Sequence, residues 1–252
     1  MSSSVVLPAH LVREQLAPRV EYWRFNLWHR ISHLLLMISI IGLVLSRFPL
    51  KFSDAVGARL FTNLLGGVGN AGLIHRGSAI VLGIGCLMNL VYVGYLVLVK
   101  HRSILGPDSI VPRWKDVTDL WQHLHYFAGR AERPRFDRFT YWEKFDYLAV
   151  FWGMAIIGGS GLLLWFPTFF ARFLPGVIIN LAYMAHSDEA MLAFGFLIVV
   201  HLFNTHLRPE RFPMDRVMFT GKITAEEWAR DHTLEWERMQ GDPERLEGMR
   251  VH

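Results

Sequence analysis

Residues 190–207 read AMLAFGFLIVVHLFNTHL, eighteen positions without a single charged side chain. The hydrocarbon core of a bilayer takes roughly 20 apolar residues of helix. Three further runs lack charge: 77–99 with 23 residues, 147–171 with 25, and 31–46 with 16. Around them the 252-residue chain is 52% hydrophobic and only 19% charged, with a mean hydropathy of +0.25. These runs exclude an ordinary soluble enzyme. They predict an all-α membrane protein, a bundle of four transmembrane helices at about 30–48, 76–99, 147–168 and 185–207.

Segments 60–74 (LFTNLLGGVGNAGLI) and 169–185 are apolar but short and interrupted by glycine or proline. They are expected as re-entrant or surface-lying elements on the outer face. The chain then divides into an N-terminal segment, 1–29, a four-helix domain, 30–207, and a tail, 208–252. In the tail, Thr224 and Glu227 form a capping-box pattern for one short helix reaching about residue 238.

Charge gives the orientation. Residues 1–30, 100–146 and 207–252 hold 21 of the Lys and Arg side chains, against 5 in the two intervening connections. The positive-inside rule places both termini and the middle loop in the cytoplasm. Trp23, Trp28, Trp142 and Trp165 fall near the predicted boundaries, as an aromatic belt requires. The net charge of +4 needs no nucleic acid to account for it. The first residues lack a basic stretch followed by an apolar core, so no cleavable signal peptide is expected. Cys86 is alone, which excludes a disulfide framework, a cysteine-ligated iron–sulfur cluster and a CxxCH haem attachment site.

Four of the twelve histidines need a reason. His33 lies just inside the cytoplasmic end of the first predicted span, His75 and His186 open the second and fourth at the outer face, and His201 lies toward the inner end of the fourth. A bare polar group in hydrocarbon costs several kcal/mol. On an ideal helix, residues 186 and 201 stand about 22 Å apart along the axis and about 60° apart around it. One helix thus offers two imidazoles at opposite depths, with His75 and His33 available at the same two levels. Each level offers two nitrogens and no third ligand for a tetrahedral metal, which suits the two axial positions of a six-coordinate haem.

Gly83 and Gly85, with Gly153, Gly158, Gly159 and Gly161, would leave room for a flat macrocycle or simply allow close helix packing. Arg24, Arg30, Arg208 and Arg211 gather at the inner ends, where haem propionates would need partners and where topogenic charge is equally expected. His29 and His206 remain open as alternative inner ligands, quinone contacts or interfacial residues. His123 and His125 are expected to be solvated in the middle loop. His10, His101, His232 and His252 carry no signal.

Several stretches resemble one family. RFNLWHRISHLLLMISIIGLVLS (24–46) is similar to the first helix of the gamma-type cytochrome b subunits of membrane formate dehydrogenases and nickel–iron hydrogenases. GLIHRGSAIVLGIG (72–85) resembles their second helix, YWEKFDYLAVFWGMAIIGGSGLLLWF (141–166) their third, and HSDEAMLAFGFLIVVHLFNTHLRPERFPMD (186–215) their fourth and its exit. The resemblance covers about 22–216. The EKFDY and LRPERFPMD segments look closest to members that partner multihaem c-type cytochromes.

The resemblance implies a di-haem cytochrome b, with His75 and His186 on the outer haem b and His33 and His201 on the inner. It places a menaquinone or ubiquinone site beside the inner haem. Some members carry a polar amide near the start of the third helix where this chain has Tyr141 and Trp142. The quinone-site candidates are therefore Tyr141, Glu143, Lys144, Asp146 and His206, and Arg30 and Arg208 are the candidate cofactor cations. The implied role is electron transfer in a bacterial inner membrane, between quinone at the cytoplasmic side and a periplasmic multihaem cytochrome c or iron–sulfur dehydrogenase subunit. Two other readings stand beside it, a histidine-relay proton channel or transporter and a redox-silent membrane anchor. Against the relay, the uncharged runs contain no Asp, Glu or Lys, and no broken-helix repeat is evident.

Overall fold

The computed structural model describes residues 20–209 and 211–251. The expectations for residues 1–19, including the first part of the N-terminal segment, lie outside the described residues. Four helices are long and apolar enough to cross a membrane: α1 (Leu27–Lys51), α3 (Gly67–Leu98), α5 (Tyr141–Trp165) and α7 (Gly176–Leu207). Their large apolar side chains point outward. Ile38, Leu87, Val91, Leu181 and Val199 are all exposed and face away from the bundle interior, the inverse of a soluble bundle and the pattern that lipid contact requires.

The helices begin earlier than the uncharged runs because caps, rather than hydropathy, set their starts. The Asn26 side chain accepts the His29 amide and opens α1. Thr140 and Glu143 form a reciprocal capping box that opens α5 at Tyr141. The charged turn 143–146 thereby becomes part of the third long helix. Gly66, at φ +84°, turns the chain into α3, a conformation that only glycine adopts without strain. The expected surface element 60–74 is therefore split between the short helix α2 (Ala58–Leu64) and the first turns of α3. Similarly, 169–185 divides between α6 (Pro167–Phe170) and the start of α7, which Pro175 precedes.

The long helices pack as two pairs. α1 and α3 meet along their length through small residues. Ser32, Ser39 and Ser46, one heptad apart, are buried and face the seam containing Ala71, Gly72, Gly85 and Cys86. A Cβ on Gly85 would stand 3.3 Å from Leu35 Cβ and 3.6 Å from the Ser32 carbonyl oxygen, so this glycine serves close helix approach. α5 and α7 form the other pair, while contacts between the pairs are sparse. Two wide π-type turns interrupt the second pair, at Met154–Gly158 in α5 and Leu197–His201 in α7. A third, Phe203–Leu207, ends α7.

At one end of the bundle, three segments distant in sequence fold into a common cap. Strand β1 (Glu21–Trp23) pairs antiparallel with β2 (Lys222–Thr224), Tyr22 opposite Ile223. Beyond α4 (Trp114–Phe127), the tail carries α8 (Val217–Thr220), α9 (Ala225–Asp231), α10 (Thr233–Gln240) and α11 (Pro243–Gly248). The expected single helix is broken at His232, although the Thr224–Glu227 capping box is present. Tyr22, Val217, Ile223, Trp228 and Met239 form its core. Glu235 lies between Arg24 at 2.7 Å and Arg138 at 2.8 Å. The described parts of the three lysine- and arginine-rich segments thus gather at one end of the bundle.

His232 is buried, with Nδ1 donating to the Asp137 carbonyl at 2.9 Å. Burial, with Arg24 nearby, pushes its pKa down from 6.5 to about 4. The unfolded segment therefore binds a proton that the folded cap excludes, and cap stability falls as pH drops from about 6.5 toward 4, by up to about 3 kcal/mol. Burial alone would raise the Glu235 pKa, but Arg24 and Arg138 outweigh it and hold it down to about 2. That contribution is lost at lower pH, between about 4.5 and 2. Protease resistance of residues 222–251 is expected to decline between pH 7 and pH 5 in the native protein, and His232→Gln should flatten the decline. Equal resistance at both pH values would contradict the assignment.

Candidate cofactor-binding site

The gap between the two helix pairs is a cavity of about 3180 Å³ with mostly apolar walls. Ordinary ligand pockets measure roughly 300–1,000 Å³, so this one has room for more than one cofactor-sized molecule. His33, His75, His186 and His201 all line it. His33 sits six residues beyond the start of α1 and His201 six residues short of the end of α7, at matching depth in antiparallel helices. His75 and His186 face each other toward the opposite end. Both lie deeper than expected, two or more turns inside α3 and α7 rather than at their first residues.

The rings meet in two pairs. The centroids of His33 and His201 are 6.4 Å apart, and those of His75 and His186 are 6.1 Å apart. Two imidazoles sharing a metal through nitrogen bonds of about 2 Å hold their centroids at most about 6.4 Å apart. A direct hydrogen bond between rings would draw them within about 5.5 Å. Both pairs are therefore too far apart for a direct hydrogen bond, at separations within the range that two-nitrogen ligation allows. Among the described residues no group of three or more His, Cys, Asp or Glu could hold a metal ion.

The far side of the rings is also arranged. His186 Nδ1 donates to the Ile157 carbonyl at 2.9 Å and lies 3.2 Å from Ser160 Oγ. His201 Nδ1 donates to Asp146 Oδ2 at 3.2 Å. Ser46 Oγ donates to the Leu43 carbonyl at 3.0 Å, so its lone pair is left to accept His75 Nδ1 at 3.3 Å. With the proton on Nδ1, each of these three rings keeps Nε2 as the lone-pair nitrogen that a metal needs, and the partners fix ring orientation. Ile157 and His201 both sit in the wide turns, a feature common at functional sites. A Cβ on Gly161 would approach His186 Cε1 to 3.1 Å, so this position must stay small for the ring to hold its place.

The other expected site residues divide. Gly83, Gly153, Gly158, Gly159 and Gly161 line the cavity, and Gly85 does not. Arg30 and Arg208 lie outside the lining. Arg30 Nε donates to the Phe219 carbonyl at 2.9 Å, and Arg208 lies over the Trp142 ring. Arg24 and Arg211 are occupied by Glu235 and Asp231. The cavity is also lined by Arg24, Arg102, Arg138, Arg211 and Arg245 near the cap, and by Arg47, Lys51 and Arg76 at the far end. All of these but Arg24 and Arg211 count in the sequence only as topogenic charge.

Of the quinone-site candidates, Glu143, Asp146 and His206 line the cavity, and Tyr141 and Lys144 do not. Lys144 is fully buried on Asp116, 2.9 Å from both carboxylate oxygens. The Tyr141 hydroxyl meets His123 Nδ1 at 3.0 Å. His123 is buried and stacked on Phe127, a correction to its expected solvation, because α4 folds against the start of α5. Burial lowers its pKa.

A polar cluster in which the sequence reading has only His29 lines the cavity between α1, α3 and α5. Asn26 Nδ2 donates to the Tyr92 hydroxyl at 2.6 Å, His29 Nδ1 donates to Asn26 Oδ1 at 2.8 Å, and the Tyr147 hydroxyl donates to Asn89 Oδ1 at 2.7 Å. These bonds leave the Tyr92 proton, the Asn89 amide hydrogens and His29 Nε2 available to a ligand carbonyl or hydroxyl. The signal in the sequence was the spacing of Asn89 and Tyr92, one turn apart in an uncharged run.

No known protein-family model matches the chain, and no curated protein sequence matches it significantly.

Proposed function

We propose that this chain is the membrane subunit of a bacterial inner-membrane oxidoreductase complex. It binds two b-type haems and carries electrons between quinone near the capped, cytoplasmic end and a redox partner at the opposite, periplasmic end. The observation that carries the reading is the pair of facing imidazole couples at 6.4 and 6.1 Å, each at its own depth in one cavity. His33 with His201 would hold one haem and His75 with His186 the other. When bound, these groups supply one-electron redox chemistry, and the protein supplies ligation, orientation and a low-dielectric surround.

Asp146 and the Ile157 carbonyl hold the ligand rings in the correct tautomer. The long helices keep the site from water, since their apolar faces turn outward to lipid and their inner faces bound a largely apolar cavity. Asn89, Tyr92, Tyr147 and His29 present hydrogen-bonding groups within the cavity toward its capped end, suited to a quinone headgroup. His29 and His206 are the groups there that can accept or return a proton. Arg47, Lys51 and Arg76 give the opposite end a positive lining that complements carboxylates. The excess of Lys and Arg in the cap supports a cytoplasmic side for it, and on this reading the far end would face a multihaem cytochrome c or an iron–sulfur subunit.

The test is the reduced-minus-oxidised absorbance spectrum of protein purified from its own membrane. A b-type spectrum with about two haems per chain is expected. A colourless protein would overturn the reading and leave the histidine relay or the redox-silent anchor.

A further inference from the structure

Helix α4 (Trp114–Phe127) has three distinct faces. At about 100° per residue, Asp116, Asp119 and His123 share one narrow arc, and all three are buried. That arc is held by Lys144 on Asp116, by the Tyr141 hydroxyl on His123 and by Lys115 on Asp119. To one side, Trp114, Val117, Leu120, Trp121, Leu124 and Phe127 cover an arc of about 140°. Each is exposed, from 43% at Leu120 to 79% at Trp114. To the other side lie Lys115, Thr118, Gln122 and His125.

We propose that α4 is an interfacial helix, lying in the headgroup region of the leaflet at the capped end with its apolar arc in lipid. The inference rests on reading the four long helices as membrane spans. A helix at a water–lipid boundary needs an apolar side and a polar side at once, and α4 carries them on opposite flanks of the arc that the protein holds. Its place fits as well. Asp116 and His123 grip the first turn of α5, where the third span enters the bilayer. Lys100 at the exit of α3 and Arg130 just after α4 are exposed, matching anionic lipid headgroups. Six contiguous large apolar side chains exceed the scattered apolar exposure of a soluble surface.

Nitroxide labels on Trp121→Cys, Gln122→Cys and Leu87→Cys, in the full-length protein in phosphatidylcholine–phosphatidylglycerol vesicles, test this. Unsubstituted protein provides the background from buried Cys86. The ratio of oxygen to nickel-chelate accessibility is expected to be several-fold higher at 121 than at 122, and high at Leu87, which faces outward from α3. Val117→Cys should repeat the result at 121. A water-like label at 121 beside a lipid-like label at 87 would overturn the interfacial helix alone. A label at 121 shielded from both reagents would overturn it in favour of a protein partner. Water-like labels at both 121 and 87 would overturn the membrane reading beneath it.

Discussion

Replacing His186 by alanine is expected to reduce the b-haem content of the purified protein from about two per chain to about one. Replacing His33 should have the same numerical effect while removing the other haem. The reason is geometric. Each ring pair shares one depth, and neither pair can borrow a histidine from the other, because positions 186 and 201 are fifteen residues apart on one helix. Alanine is a good helix former, so α7 and α1 should persist, and each variant should keep the haem that it was not designed to lose. His75→Ala should reproduce the His186→Ala spectrum, and His201→Ala that of His33→Ala. If His186→Ala and His33→Ala lost the same haem, or neither lost one, the ligand assignment would be wrong.

The second large effect falls on the cap. Glu235 is 2% exposed, and its carboxylate faces two guanidinium groups while also accepting the Trp228 indole N–H at 2.7 Å. Glu235→Ala leaves Arg24, itself buried, without its counter-charge. Breaking one partner of a buried ion pair costs about 3–5 kcal/mol, a large share of the roughly 5–15 kcal/mol that holds a domain together. Residues 222–251 should become protease-sensitive at neutral pH, where the native cap resists cleavage. Removing an exposed pair by comparison, as in Glu237→Ala opposite Arg135, should change little, since such pairs contribute about 0–1 kcal/mol. Equal resistance in Glu235→Ala and the native protein would show that the cap does not depend on the buried pair.

These two experiments touch parts of the molecule that were unequally visible in the sequence. The spans were legible because hydrocarbon tolerates so few charges that uncharged runs mark them. Their first residues were not, because Asn26, the Thr140–Glu143 box and Gly66 act through hydrogen bonds and backbone angles rather than hydropathy. The four histidines could be paired by depth from helical rise alone. The ring partners Asp146, Ser46 and the Ile157 carbonyl could not, since each is on a different helix from the ring it holds. The wide turns at Met154–Gly158 and Leu197–His201 also break the uniform 100° spacing from which the relative direction of His186 and His201 was estimated. The cap was the least legible part. Its core joins Tyr22 to Trp228, and its buried charges join Arg24 to Glu235, across more than two hundred residues. Arg24 and Arg211, which the sequence offers equally as propionate partners or as topogenic charge, are the cations of buried ion pairs.

The most direct test is a cryo-electron microscopy map of the protein purified from its native membrane, inspected between the two ring pairs. The account predicts two flat bodies of density, one joining residues 33 and 201 and one joining 75 and 186, each continuous with both imidazoles. Lipid-tail density or closed contact between the helix pairs at those two positions would contradict it.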